Sequence, residues 1–185
     1  MRRIVVFNLV SLDGYIADQN GDMSWAHRQD PEWNTFVTGN AKGEGALLFG
    51  RVTYEMMASW WPTPQAIQAM PAAAEWMNHA PKLVVSKTLK KATWNNSTLL
   101  KGDLVPALTK LKKESGPDFV VFGSGTVIAQ LAEHGMIDEY QVVVNPIVLG
   151  RGKSMFDGVT RRTNLKLTRT RIFGNGNALL CYEPM

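Results

Sequence analysis

The chain has 185 residues, 45% hydrophobic and 19% charged, which supports one globular domain over residues 1–185 with a substantial core and excludes a disordered chain. A formal charge of +4 with scattered Lys and Arg gives no footprint for nucleic acid and fits a small phosphate-bearing ligand at least as well. The single cysteine, Cys181, excludes an internal disulfide, no apolar run approaches the ~18 residues of a membrane span, and the N-terminus lacks a signal peptide's apolar core, so a reducing cytoplasm is expected.

Residues Arg2–Val10 have the β-branched, apolar content of a buried strand, which ends in Ser11-Leu12-Asp13-Gly14-Tyr15-Ile16-Ala17 with a turn at Asp13-Gly14. Ile16 and Ala17 follow that turn, where the chain either borders a flat ligand or simply bends between strands. Asp18–Asp22 reads as a loop and a candidate active-site flap, with Trp25 at its far side. Asp30-Pro31-Glu32 opens a helix: Asp30 can cap it, Pro31 suits the first position, and Trp33, Phe36 and Val37 form its apolar face.

A second strand over Gly45–Phe49 runs into Gly50-Arg51-Val52-Thr53-Tyr54-Glu55. Arg51 can bind phosphate through two N–H groups and Thr53 can add a hydroxyl, so this junction is a possible anion site. Met56, Met57, Trp60 and Trp61 continue the helix as far as Pro62, and Gln65–His79 reads as further helix restarted at Pro71. Their spacing favours core packing for most of these large side chains. Lys82–Lys87 is a third strand whose far end offers Ser86 and Lys87, at the carboxyl end where open α/β sheets gather ligands. Thr93–Leu100 adds a short strand, and Leu104, Val105, Leu108 and Leu111 mark a helix with a solvated, Lys-rich outer face.

Phe119–Phe122 is an unbroken apolar run followed by Gly123-Ser124-Gly125-Thr126-Val127, after which Val127, Ile128 and Leu131 recur at helical spacing. A glycine turn at a helix N-terminus suits a pyrophosphate, through free N–H groups and the helix dipole. A tight strand-to-helix connection explains the same residues equally well. The dinucleotide fingerprint G-x-G-x-x-G is not met, because Ile128 takes the third glycine's place. Tyr140–Val144 is a strand, Leu149–Lys153 a basic glycine loop, and Leu165–Phe173 with Ala178–Glu183 a hairpin closed by Gly174-Asn175-Gly176-Asn177.

The three histidines His27, His79 and His134 fall in unrelated segments, so a metal site is not expected. No G-x-S-x-G elbow occurs, and Gly152-Lys153-Ser154 lacks the first glycine of a phosphate-wrapping loop because Ile147 stands there. Strand ends that repeatedly present Gly with Ser, Thr or Arg suit a cofactor that carries its own chemistry.

Taken in order, Ser11–Ala17, Phe49–Glu55, Val84–Lys87, Phe122–Thr126, Asp138-Glu139 and Pro146–Gly152 to Phe156 resemble the dihydrofolate reductase-like superfamily. The resemblance is nearest to the C-terminal reductase domain of bifunctional riboflavin-biosynthesis proteins (the RibD C-terminal domain). It implies a three-layer α/β fold, with a mostly parallel central sheet, helices on both faces and a C-terminal antiparallel hairpin. It also implies an NADPH site, a small-molecule substrate and a homodimer.

By that resemblance Gly50, Arg51 and Thr53 contact the cofactor's phosphates, and Ser86 and Lys87 meet the adenosine 2′-phosphate. Gly123, Ser124, Gly125, Thr126 and Val127 hold the pyrophosphate, and Ile16 and Ala17 border the nicotinamide. Trp25 and Asp30 share the spacing of the tryptophan and active-site carboxylate of bacterial dihydrofolate reductases, which makes Asp30 a candidate catalytic and substrate-binding residue with Trp25 beside it. The riboflavin enzymes carry a glutamate where this chain has Gly123. The expected activity is hydride transfer from NADPH to a pyrimidine, pterin or flavin-like heterocycle. The competing readings are a non-catalytic NADPH-binding sensor and a true dihydrofolate reductase.

Overall fold

The structure is a computed structural model and describes residues 1–28, 30–40 and 44–185. The N-terminal half contains β1 (Ile4–Ser11), β2 (Tyr15–Asp18), α1 (Pro31–Asn40), β3 (Ala46–Gly50), α2 (Arg51–Trp60), α3 (Pro64–Ala69), α4 (Pro71–His79) and β4 (Lys82–Val85). The C-terminal half adds β5 (Ser97–Leu100), α5 (Leu104–Leu111), β6 (Phe119–Phe122), α6 (Gly125–Glu133), β7 (Glu139–Asn145), β8 (Gly152–Ser154), β9 (Leu165–Ile172) and β10 (Ala178–Pro184).

Among the described residues eight strands form one sheet in the order β5-β4-β3-β6-β1-β7-β10-β9. The first six are parallel neighbours. The C-terminal hairpin then joins β7 in antiparallel fashion through β10, leaving β9 as the outer edge. This is the expected α/β architecture, and the parallel strands are the apolar runs that need cover on both faces.

The cover is divided. On one face Ile4, Val6, Leu48 and Val121 pack against Leu104 and Leu108 of α5 and against Val127, Ile128 and Leu131 of α6. On the other face there are two separate clusters. Leu47, Phe49 and Val84 lie with Tyr54 of α2 and Met77 of α4, while Val143, Leu179 and Cys181 lie under Trp33 of α1. Cys181 is thus a core thiol, 1% exposed.

Two local readings change. The glycine loop at Leu149–Lys153 is partly a strand: Gly152–Ser154 pairs with β2 to form a separate two-stranded arm. A Cβ at Gly152 would run into the Ala17 carbonyl oxygen and lie 2.9 Å from Tyr15 Cβ, so the pairing itself demands glycine. The large side chains of α2 divide as the helix turns. Met57 and Trp61 join the core, whereas Met56 and Trp60 stay nearly half exposed.

Candidate active site

The carboxyl ends of β1, β3, β4 and β6 open into one cleft of about 1300 Å³. That exceeds the roughly 300–1,000 Å³ of ordinary small-ligand sites. The arm of β2 and β8 forms one wall, contributing Ile16, Ala17 and Lys153. The sequence-expected residues Gly50, Arg51, Thr53, Ser86, Lys87 and the whole of Gly123–Val127 line it as well.

Two strand-to-helix junctions interlock at its centre. Gly123 and Ser124 both have left-handed backbones, at φ 55° and 56°, a conformation uncommon for a residue with a side chain. Each is held by a neighbouring element. The Gly123 N–H donates to Asn8 Oδ1 at 2.7 Å and the Ser124 N–H to Thr53 Oγ1 at 3.0 Å. The Gly50 N–H in turn donates to Ser124 Oγ at 2.9 Å. The first glycine of the turn therefore does not offer its N–H to a ligand. Among the described residues, the free donors at the N-terminus of α6 are the N–H groups of Gly125 and Thr126. A Cβ on Gly125 would meet Ile16 Cδ1 at 3.0 Å and the Ser154 carbonyl oxygen at 3.1 Å, so glycine lets the helix end approach the arm.

The cations of the cleft are lightly held. Arg51 pairs with Glu55 one helical turn away at 2.8 Å, and Lys87 pairs with Asp103 at 3.0 Å. Both pairs are solvent-exposed and weak enough for an anionic ligand to displace. The Ser86 hydroxyl caps the backbone after β4, accepting the Leu89 N–H at 2.9 Å.

The Ser11–Ala17 segment is an anchor for the arm. Ser11 Oγ donates to Asp13 Oδ1 at 2.6 Å and accepts the Tyr15 N–H at 2.9 Å. Asp13 also accepts the N–H groups of Leu149 and Gly150, which ties the two ends of the arm together. The Ser11 hydroxyl, with those two N–H groups, holds the Asp13 carboxyl below its ordinary value.

Trp25 and Asp30 do not line this cleft. Trp25 lies in a 3-10 turn and its Nε1 donates to the Asp22 carbonyl. Asp30 caps α1, its Oδ1 accepting the Trp33 N–H at 2.7 Å, and its Oδ2 lies beside Gly174 of the C-terminal hairpin. Phe7, Asn8 and Leu9 of β1 do line the cleft, and the sequence reading did not single them out. Asn8 had a signal: it is the one polar residue within the apolar run Ile4–Val10, and it is 3% exposed.

Residues 2–179 match the RibD C-terminal domain. The chain belongs to that family. It is 28% identical over 182 residues to the uncharacterized protein YyaP of Bacillus subtilis (strain 168), covering 98% of this chain and 95% of the relative. Its fold is that of two solved proteins. One is the diaminohydroxyphosphoribosylaminopyrimidine deaminase/5-amino-6-(5-phosphoribosylamino)uracil reductase of Thermotoga maritima, with a TM-score of 0.68 and 15% identity over 100% of this chain and 57% of that one. The other is a dihydrofolate reductase of Enterococcus faecalis complexed with NADP(H), with a TM-score of 0.64 and 14% identity over 98% of this chain and 96% of that one. Membership of the RibD C-terminal family makes this a reductase-like protein, and its dihydrofolate reductase-like fold agrees with the order of motifs in the sequence.

Proposed function

We propose that this protein is an NADPH-dependent reductase that transfers hydride to a small flat heterocycle. The observation that carries the reading is the pair of glycine junctions locked to each other, with the two unpaired N–H groups at the start of α6 belonging to residues that line a dinucleotide-sized cleft. NADPH bound there supplies the hydride.

The chain's residues fit that cofactor. The Gly125 and Thr126 N–H groups receive the pyrophosphate at the positive end of α6, and Arg51 at the start of α2 adds its guanidinium. Thr53 serves indirectly, by holding the Ser124 N–H. Lys87 releases Asp103 to meet the adenosine 2′-phosphate, with Ser86 shaping the turn beneath it. Ile16 and Ala17, both buried, press the arm against the nicotinamide and exclude water from the reacting face. Solvent provides the proton, and Asp30 is the alternative donor. Catalysis then rests on orientation and fixed dipoles. The reductase activity in the name of the Thermotoga maritima protein and the NADP(H) in the Enterococcus faecalis complex support this reading. We further propose a homodimer, joined through β9.

Calorimetric titration with NADPH, on the wild type and on Ser124→Asp, tests the cofactor assignment. Binding by the wild type and its loss in the variant are expected, because the new carboxylate would repel the pyrophosphate. Equal, negligible heats from both would refute it. Binding without NADPH oxidation, across pterin, flavin and ribosylaminopyrimidine substrates, would mark a sensor.

A further inference from the structure

Among the described residues the cleft is lined by three Lys or Arg side chains, Arg51, Lys87 and Lys153, and by two carboxylates, Asp103 and Asp157. One of the carboxylates stands at the end where Ser86 and Lys87 follow β4. Lys87 Nζ donates to Asp103 Oδ1 at 3.0 Å, and Gly102, Leu104 and Val105 line the cleft beside the pair. The two side chains are 77 and 76% exposed, so neither is fixed by packing.

Asp103 has a second place to go. It occupies the N-cap position of α5 with an extended backbone, φ −72° and ψ 128°, and its carbonyl accepts the Ala107 N–H at 3.3 Å. An aspartate at that position ordinarily turns its carboxylate onto the N–H of the second or third helical residue. The Asp103 side chain makes no such bond. Pro106 is the third residue and has no N–H to offer. The donor left for a cap is therefore the Val105 N–H, which has no partner among the described residues. The carboxylate thus has two alternative partners, the Lys87 ammonium and the start of α5, and the structure shows it on the ammonium.

We propose that Asp103 sets how strictly the cleft prefers NADPH over NADH. With the phosphate-free ribose of NADH the carboxylate stays on Lys87 and accepts a ribose hydroxyl through its second oxygen. With NADPH the 2′-phosphate takes the ammonium in a charge-assisted bond and repels the carboxylate, which turns onto the Val105 N–H. An exposed ion pair and a helix cap are of similar strength, so Asp103 moderates the preference for NADPH without abolishing it. The inference rests on the reductase reading above and adds to it the residue that tunes the choice of cofactor.

Asp103→Asn tests it, because the amide keeps an oxygen for the cap and for a ribose hydroxyl but gives up the charge. Calorimetric titrations of the full chain with NADPH and with NADH give the ratio of the two affinities. In Asp103→Asn that ratio should move towards NADPH by about fivefold. Lys87→Met should instead lose most of the wild-type preference for NADPH, and thermal melting checks that both variants fold. In amide exchange followed by NMR, the Val105 N–H should exchange more slowly in the NADPH complex than in the NADH complex. An unchanged ratio in Asp103→Asn, or one moved towards NADH, would overturn the proposal. So would an unchanged preference in Lys87→Met, or equal exchange at Val105 in the two complexes. Any of these results in a protein that binds both dinucleotides defeats the Asp103 inference alone, whereas a wild type that binds neither defeats the cofactor assignment itself.

Discussion

Ser124 Oγ accepts the Gly50 N–H at 2.9 Å, so a side chain from one glycine junction completes the backbone of the other. Ser124→Ala leaves that N–H without its acceptor while keeping the left-handed backbone at residue 124. A loss of about 1–2 kcal/mol in unfolding free energy is expected, with weaker NADPH binding because the two helix ends are no longer locked together. Urea denaturation and calorimetry on the same samples check both effects. An unchanged NADPH affinity would mean that the lock is structural only.

Gly152→Ala addresses the arm. The added methyl collides with the Ala17 carbonyl oxygen and the Tyr15 side chain, so β8 has to part from β2. Because the arm is a two-stranded sheet apart from the main one, the main sheet should stay folded while amide exchange in residues 15–18 and 152–154 accelerates. Hydrogen exchange measured by mass spectrometry distinguishes this local opening from global unfolding. NADPH affinity should fall in parallel.

The strands of the main sheet, the glycine junctions and most of the cleft-lining residues were legible in the sequence because each is local: an apolar run, then glycine, then helical spacing. The aromatic lining from Phe7 and Phe122 was not legible. Both read as ordinary core residues, and only tertiary packing, in which the cluster under α1 and the cluster under α2 and α4 do not merge, leaves their rings partly open to the cleft. Lys112, just past the helix whose Lys-rich face reads as solvated, is another case. It reaches Asp138, 26 residues away, in an ion pair that periodicity cannot foresee.

Lys82 opens β4 and is 2% exposed. Its ammonium donates to the carbonyls of Ala80, Asn95 and Asn78 at 2.8, 3.0 and 3.2 Å and lies 4.4 Å from the Trp94 ring centroid. Burial lowers its pKa from 10.5 to about 8. The unfolded chain therefore holds this proton more tightly than the native one. The cost of burying the charge is present in full below pH 8 and disappears as pH rises towards 10.5, so this group makes stability increase with pH across that window. Denaturation at pH 7.5, 9 and 10 should show a positive difference in slope between the wild type and Lys82→Met. Parallel pH profiles would refute it.

Asp30 is first a helix cap, through the 2.7 Å bond from the Trp33 N–H. Asp30→Asn keeps an acceptor oxygen for that bond and removes the charge and the titratable proton. Stability should change by less than about 1 kcal/mol. Steady-state NADPH oxidation, followed from pH 5 to 8, then decides the catalytic role. If solvent supplies the proton, kcat and its pH profile stay as in the wild type. A tenfold or greater loss of kcat with KM preserved would make Asp30 the donor.

The last expectation concerns β9. All eight residues of this edge strand are exposed, among them Leu165, Leu167 and Ile172 at 38, 49 and 67%, and among the described residues its outer backbone edge has no neighbour in the sheet. An uncovered edge of that length is a template for a second strand, and a second copy of the chain would bury these apolar residues. Light scattering should give the mass of two chains at micromolar concentration. Leu167→Lys, remote from the cleft, should return the protein to one chain by placing an ammonium in the interface. A wild type that remains a monomer at all concentrations would remove β9 from consideration as a joint between copies.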